Sequence, residues 1–208
     1  MLRSLVEAFQ DRTDLPIEIS EIRDEIVKQG FQDRIILCSQ PLDPGVLKGI
    51  YYQWTEHNGV YSDPELISLI VFSNEVNLCW QRLICAKEMV HVCDLQIAKS
   101  SSIEEISELA RKVIGPFETT DLDVGDLMAS FDKLAQYQSL NLLFPKAARN
   151  LAKQKLEKDE ITTFEIAEWS RIPEELVRLA LSEKWETISQ LLLAIGNGDA
   201  IQNLSDQR

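Results

Sequence analysis

The stretch from Cys85 to Asp94, with the sequence CAKEMVHVCD, contains a lysine, a glutamate and a histidine at helical spacing. On a helix, residues three or four positions apart lie on one face, so Lys87 and Glu88 would both be neighbours of His91. A glutamate followed by a histidine three positions later is half of the zinc-hydrolase motif His-Glu-x-x-His. In that motif both imidazoles bind the metal and the glutamate activates water. Lys87 stands where the first imidazole belongs.

A lysine cannot replace a zinc-binding histidine at neutral pH. Zinc takes neutral nitrogen or anionic oxygen and sulfur donors, whereas a lysine with its ordinary pKa of about 10.4 keeps its proton and its charge. Loss of one of three protein ligands is expected to cost roughly several kcal/mol of metal affinity, against about 10–16 kcal/mol for good structural sites.

Two cysteines, Cys85 and Cys93, flank the motif and are further candidate ligands. The four cysteines of the chain form no C-x-x-C pair and lie in apolar stretches. We therefore expect them to be reduced core thiols rather than metal ligands.

The predicted helix from about Asn77 to Cys93 carries apolar residues on more than one face, which predicts that it is largely buried. These residues are Leu78, Trp80, Leu83, Ile84, Met89 and Val90. Lysine, glutamate and histidine in a buried helix need partners, because an unpaired charge is costly to bury.

Before this helix the sequence predicts two helices and a small sheet. The helices span 2–10 and 17–29, and three runs of β-branched and aromatic residues over 34–39, 48–54 and 65–73 predict strands. Turn-forming residues separate the strands.

After residue 74 the sequence predicts helices only. A charged segment over 153–160 is a candidate hinge between them. The helix boundaries follow from the capping boxes Ser102-x-x-Glu105 and Thr162-x-x-Glu165, a helical pattern over 124–143, the helix-breaking Pro145, and Pro173 in the first turn of a further helix. The order of elements predicts an α+β fold, dominated by helices, with a three-stranded sheet and a helical C-terminal extension.

Composition limits the classes of partner. The chain has 208 residues, 45% of them hydrophobic, which is enough for one domain with a full core. No apolar run approaches the ~18 residues of a membrane span, and the N-terminal stretch turns acidic too soon for a signal peptide, so we expect no membrane contact and a cytoplasmic location. A net charge of −13 disfavours direct binding to nucleic acid and favours a basic partner.

Three other features of the sequence do not predict a DNA-binding, catalytic or phosphate-binding site. The helix-turn-helix-like segment 162–181 has more glutamates than arginines, so we interpret it as a packing or protein-binding element rather than a DNA reader. The serines at 100–102 lack a G-x-S-x-G elbow, and no glycine-rich phosphate loop is present. His57 lies in a turn-rich loop and is expected to be solvated.

Several of these pieces, in order, resemble the ImmA/IrrE family of zinc-metallopeptidase-like proteins. The matching stretches are QRLICAKEMVH (81–91), DKLAQ (132–136), LLFP (142–145) and IAEWSRIPEELVRLAL (166–181), and the resemblance covers roughly residues 16–182. It implies a zincin-like, metallopeptidase-like domain over 1–157 and a helix-turn-helix-like extension with a polar tail over 158–208.

The resemblance also implies roles for individual residues. Glu88 falls on the catalytic base, His91 on the second zinc ligand and Asp132 on the acidic third ligand, while Lys87 falls on the first ligand and does not match. In one interpretation the Lys87 ammonium replaces the metal and pairs with Asp132 or Glu88. In the other, a metal still binds through Glu88, His91, Asp132 and a cysteine in altered geometry.

We therefore expect a pseudo-metallopeptidase that acts as a regulatory protein-binding module and needs no cofactor. Its expected partner is a protein, either basic or a transcriptional regulator. The alternative is a divergent zinc-dependent endopeptidase that cleaves a regulatory protein, with Glu88 as general base. The sequence does not identify the partner or the oligomeric state.

Overall fold

The computed structural model describes residues 2–57, 59, 63–93 and 124–196, with the backbone alone for 124–133 and 194–196. Within these ranges the chain forms eight helices and one three-stranded sheet, which confirms the predicted α+β class. The predicted helix that begins at Ser102 and the polar tail lie outside the described residues.

The elements follow the predicted order. The first half of the chain contains α1 (Leu2–Phe9), α2 (Ile19–Lys28), β1 (Arg34–Gln40), β2 (Gly49–Glu56), β3 (Glu65–Ser73) and α3 (Leu78–Val92). The second half contains α4 (Val124–Leu143), α5 (Lys146–Glu157), α6 (Thr163–Ser170), α7 (Glu174–Leu181) and α8 (Trp185–Gly196).

The sheet has the order β1-β3-β2, with β3 in the centre. β1 runs parallel to β3, whereas β2 runs antiparallel to it. Gln53 lies opposite Ser68, and Tyr51 lies opposite Ile70, so these four side chains share one face of the sheet. All four are buried, which makes this the inner face.

Helix α3 occupies the centre of the molecule. It packs against β2, β3, α2 and α4, and nearly every residue from Arg82 to Val92 is buried, as predicted from its apolar faces. One core extends from Ile22 through Met89 to Val177. The predicted domain boundary at 157/158 lies at the end of α5, and residues on both sides of it contribute to this core.

Local signals explain several helix ends. Thr162 and Glu165 form the predicted reciprocal capping box at the start of α6. The candidate hinge over 153–160 is wrong in its first part, because residues 153–157 form the last turns of α5. Lysine, glutamine and leucine favour a helix there, and Ala152 and Leu156 pack on the core. The chain turns only at Lys158.

Within the described ranges, none of the helices combines the length and the apolar character that a bilayer-spanning segment requires.

Candidate functional site

Helix α3 positions the motif residues. Asn77 caps the helix, because its side chain accepts a hydrogen bond from Trp80 N at 3.1 Å. Arg82 then anchors it to the start of α2, donating to Glu18 Oε2 at 2.9 Å and to the Ile17 carbonyl at 2.5 Å. With its first turns held in this way, α3 carries its later residues into the space between the sheet and the neighbouring helices.

Glu88 and Lys87 form a buried ion pair on α3. The ammonium nitrogen Nζ lies 2.7 Å from Glu88 Oε1, and the side chains are 12% and 3% exposed respectively. Oε1 nevertheless receives no well-aligned hydrogen bond from the described part of the chain. The contact is therefore mainly one of charge, and a carboxylate at this depth depends on the nearby cation.

The first residue of β2 leaves room for the Glu88 carboxylate. A Cβ atom at Gly49 would lie 2.8 Å from Glu88 Oε1 and 2.3 Å from Ile84 Cγ2, both closer than real contacts. Only glycine therefore lets the strand approach α3 at this point. The ion pair is enclosed by the backbone of β2 on this side.

A second buried polar group lies on the inner face of the sheet. Asp33 Oδ2 accepts hydrogen bonds from Ser68 Oγ at 2.6 Å and from Gln53 Nε2 at 2.5 Å. Ser68 Oγ also lies 3.0 Å from the Tyr51 hydroxyl. The Tyr51 ring in turn lies beside the His91 ring, with 6.4 Å between the ring centroids. This network, which we call the Asp33 network, connects the sheet to the motif histidine.

Sequence reasoning missed the Asp33 network. Its members come from two strands and the residue before β1, and Ser68 is 35 positions from Asp33. The signal available was the presence of Gln53 and Ser68 within the predicted strands 48–54 and 65–73. Such residues conflict with a purely apolar strand, and buried polar groups require partners.

Both cysteines that flank the motif, Cys85 and Cys93, are buried. Burial, reinforced by the nearby Glu88 carboxylate, raises the pKa of the Cys85 thiol to about 12. The metal-free thiol therefore keeps its proton at neutral pH. Cys93 is also buried, while Cys38 and Cys79 are half-buried, so the prediction of core thiols describes two of the four positions well.

Among the described side chains, no three histidine, cysteine, aspartate or glutamate residues come together as a metal site. Asp132 lies on α4, which packs against α3, but its side chain is not among those described. His57 is exposed, as expected for a loop residue. The nearest charge to the Glu88 carboxylate is the Lys87 ammonium, and a dication beside an ammonium is repelled.

This geometry restricts what the site can do chemically. A general base must reach the proton that it removes, directly or through one water. The Glu88 side chain is 3% exposed and lies against Lys87, so in this arrangement it is paired and shielded from water.

No protein-family model, curated protein or solved structure matches the chain.

Proposed function

We propose that this protein is a pseudo-metallopeptidase, a zincin-like scaffold of the ImmA/IrrE type in which a lysine ammonium takes the place of the catalytic metal. The observation that carries the proposal is the buried ion pair of Lys87 and Glu88, with 2.7 Å between Nζ and Oε1. In an active enzyme of this type the glutamate takes a proton from metal-bound water. Here the same carboxylate is held by a fixed cation.

A lysine in place of the first zinc-binding histidine would keep the fold stable but would abolish metal-dependent hydrolysis. Loss of a metal alone would leave buried carboxylates without compensation, at a cost of roughly several kcal/mol for each charge. The Lys87 ammonium offsets the charge of Glu88 without an ion.

The function that remains for this scaffold is protein binding in a regulatory role. The net charge of −13 favours a partner with a basic surface, because complementary charge accelerates and orients association. The family resemblance points to a transcriptional regulator as that partner. The same negative charge disfavours direct contact with nucleic acid, and we propose a cytoplasmic location.

The alternative function is a divergent zinc-dependent endopeptidase with Glu88 as general base. The burial of both Glu88 and His91 on one helix favours it, because proteins retain such polar residues in their interiors most often at functional sites. It requires the Lys87 ammonium to leave Glu88, and it requires Asp132 and His91 to bind the metal.

A complementation experiment separates the two functions. The gene is deleted, the change in transcript profile is recorded, and wild type, Glu88→Gln and the double variant Lys87→Met/Glu88→Gln are reintroduced. A pseudo-metallopeptidase restores the profile with all three, because partner binding needs no general base. The exposed Glu157→Gln variant is the control, and immunoblots check that protein levels are equal. Failure of both Glu88 variants at normal protein levels would favour the endopeptidase.

A further inference from the structure

A second polar site lies away from α3, in a cavity of about 330 Å³ bordered by α1, α5, α8 and the end of α4. Its floor is formed by the buried residues Asn141, Arg149 and Ser189. Its rim is formed by exposed charged residues, among them Glu7 and Lys146. No residue of α3 or of the sheet lines it.

Arg149 is the residue that makes this cavity unusual. It is only 5% exposed, its guanidinium donates one hydrogen bond to the Phe144 carbonyl, and it lies 6.0 Å from the centre of the Trp185 ring. Burial lowers the pKa of Arg149 to about 10, so it remains charged at pH 7. Among the described residues no carboxylate lies within ion-pair distance of it. Most of its five N–H donors are therefore available to a ligand.

Asn141 adds a second donor to the floor. It is 2% exposed, and its Oδ1 accepts a hydrogen bond from Ser189 Oγ at 2.7 Å. Its amide nitrogen Nδ2 has no hydrogen-bond partner in the part of the chain that the structure describes. A buried amide without an acceptor is costly, so a ligand toward which the Asn141 side chain shifts would supply the missing acceptor.

The charge on the cavity floor favours a ligand with a single negative charge. Arg149 is the one charged residue among the three that form the floor. Lys146 already pairs with Glu186 at 2.9 Å. A dianion such as sulfate would bring a second negative charge close to Glu186, whereas a monoanion matches the single charge of Arg149.

We infer that this cavity binds a small organic monocarboxylate, whose carboxylate accepts paired hydrogen bonds from the Arg149 guanidinium and a further one from Asn141. A guanidinium matches a carboxylate in a bidentate geometry, and charged hydrogen bonds of this kind are the strong ones. The volume lies at the lower end of the range of about 300–1,000 Å³ that ligand pockets occupy, which suits a small molecule.

Fluorine NMR of the full chain tests this inference with two probes, 4-fluorobenzoate and trifluoroacetate, titrated to millimolar concentration. We expect saturable binding of at least one probe, with 4-fluorobenzamide, the neutral counterpart of the first, at least about tenfold weaker. Sulfate serves as the dianionic competitor and should displace the bound probe poorly.

Two variants assign the binding to this cavity. Arg149→Met should weaken probe binding by about tenfold or more, because the charged hydrogen bonds are lost. Glu186→Gln changes an exposed residue and should fold normally, and it should tighten binding about two- to fivefold because it removes a nearby negative charge. Thermal unfolding of both variants checks that they are folded. If Arg149→Met does not fold, the affinity of Glu186→Gln for the probes alone tests whether they bind in this cavity.

Three results would overturn the inference. The first is the absence of saturable binding of both carboxylates to the wild type. The second is equal binding of 4-fluorobenzamide and 4-fluorobenzoate. The third is an unchanged affinity for the carboxylates in Glu186→Gln, or in a folded Arg149→Met variant.

Discussion

The Lys87 ammonium nitrogen lies 2.7 Å from Oε1 of Glu88, its immediate neighbour in the sequence. Adjacent residues on a helix point in different directions, so the long lysine side chain must bend around α3 to reach this carboxylate. The Glu88 side chain lies inside the protein, and only 12% of the Lys87 side chain is exposed. The pair is thus not an ordinary surface ion pair, and its loss should have large consequences.

Replacement of Lys87 by methionine should lower the free energy of unfolding by about 3–5 kcal/mol, because the Glu88 carboxylate would remain buried without its cation. The double variant Lys87→Met/Glu88→Gln should regain most of that loss. Urea denaturation at pH 7 measures both. Lys28→Met is the matched control, since Lys28 pairs with Glu25 at the surface and its loss should cost less than about 1 kcal/mol. Equal effects of Lys87→Met and Lys28→Met would contradict the buried-pair account.

Replacement of Gly49 by alanine should also destabilise the protein, by about 1–3 kcal/mol. The added methyl group would lie 2.3 Å from Ile84 Cγ2 and 2.8 Å from Glu88 Oε1, so β2 and α3 must separate. Gly45→Ala provides the control, because there the new Cβ would meet only Asp43 Oδ1, at 3.2 Å. The midpoints of thermal unfolding of the two variants are compared. A Gly49→Ala variant as stable as Gly45→Ala would show that β2 does not enclose the Glu88 carboxylate.

The Asp33 network predicts a cost for Ser68→Ala of about 1–3 kcal/mol. The substitution removes the 2.6 Å hydrogen bond to Asp33 and the 3.0 Å contact with the Tyr51 hydroxyl. Ser39→Ala, at an exposed position near the end of the neighbouring strand β1, should be close to neutral. Chemical denaturation compares the two, and a neutral Ser68→Ala would mean that the network adds nothing to stability.

Most elements of the fold could be predicted from the sequence, because their signals are local. Periodicity and turn residues located the three strands, and Thr162 with Glu165 located the start of α6. The strand order could not be predicted, because the pairing of β1 with β3 joins segments separated by a further strand. The candidate hinge was placed too early, because the charged residues from 153 onward resemble a linker. Their helix propensity and the packing of Leu156 on the core extend α5 to Glu157 instead.

The candidate site could be predicted only where it depends on one helix. Lys87, Glu88 and His91 are close in sequence, so helical spacing was enough to group them. Gly49 lies against Glu88 of α3, and Asp33 bonds to Ser68 of β3, although each pair is far apart in the sequence. No local sequence pattern indicates either contact. The cavity with Arg149 was missed for the same reason, because its lining comes from four helices.

The thiol of Cys85 should be unreactive in the folded protein. Burial and the nearby Glu88 carboxylate raise its pKa from 9.0 to about 12, and alkylation requires the thiolate. Iodoacetamide at pH 8 should modify the half-buried Cys38 and Cys79, and should modify Cys85 only after denaturation. Mass spectrometry of peptides identifies the modified positions. Rapid modification of Cys85 in the folded protein would contradict the buried environment described for α3.

The same raised pKa has a consequence for stability in alkaline solution. Between pH 9 and about 12 the Cys85 thiol ionises in the unfolded chain while it stays protonated in the folded one. The unfolded state then binds fewer protons, so the free energy of unfolding should fall as the pH rises above 9. Denaturation midpoints at pH 8 and pH 10 measure the effect, and a midpoint that rises over this interval would contradict it.

The central claim is that Lys87 has replaced the metal, and zinc content measured by elemental mass spectrometry tests it most directly. Tag-free wild type, Lys87→His and His91→Ala are dialysed against zinc and then against buffer. The account predicts less than about a tenth of an equivalent of zinc in the wild type, and near-stoichiometric zinc in Lys87→His, in which the second imidazole restores a His-Glu-x-x-His helix. Stoichiometric zinc in the wild type that is lost in His91→Ala would contradict the account and support the endopeptidase.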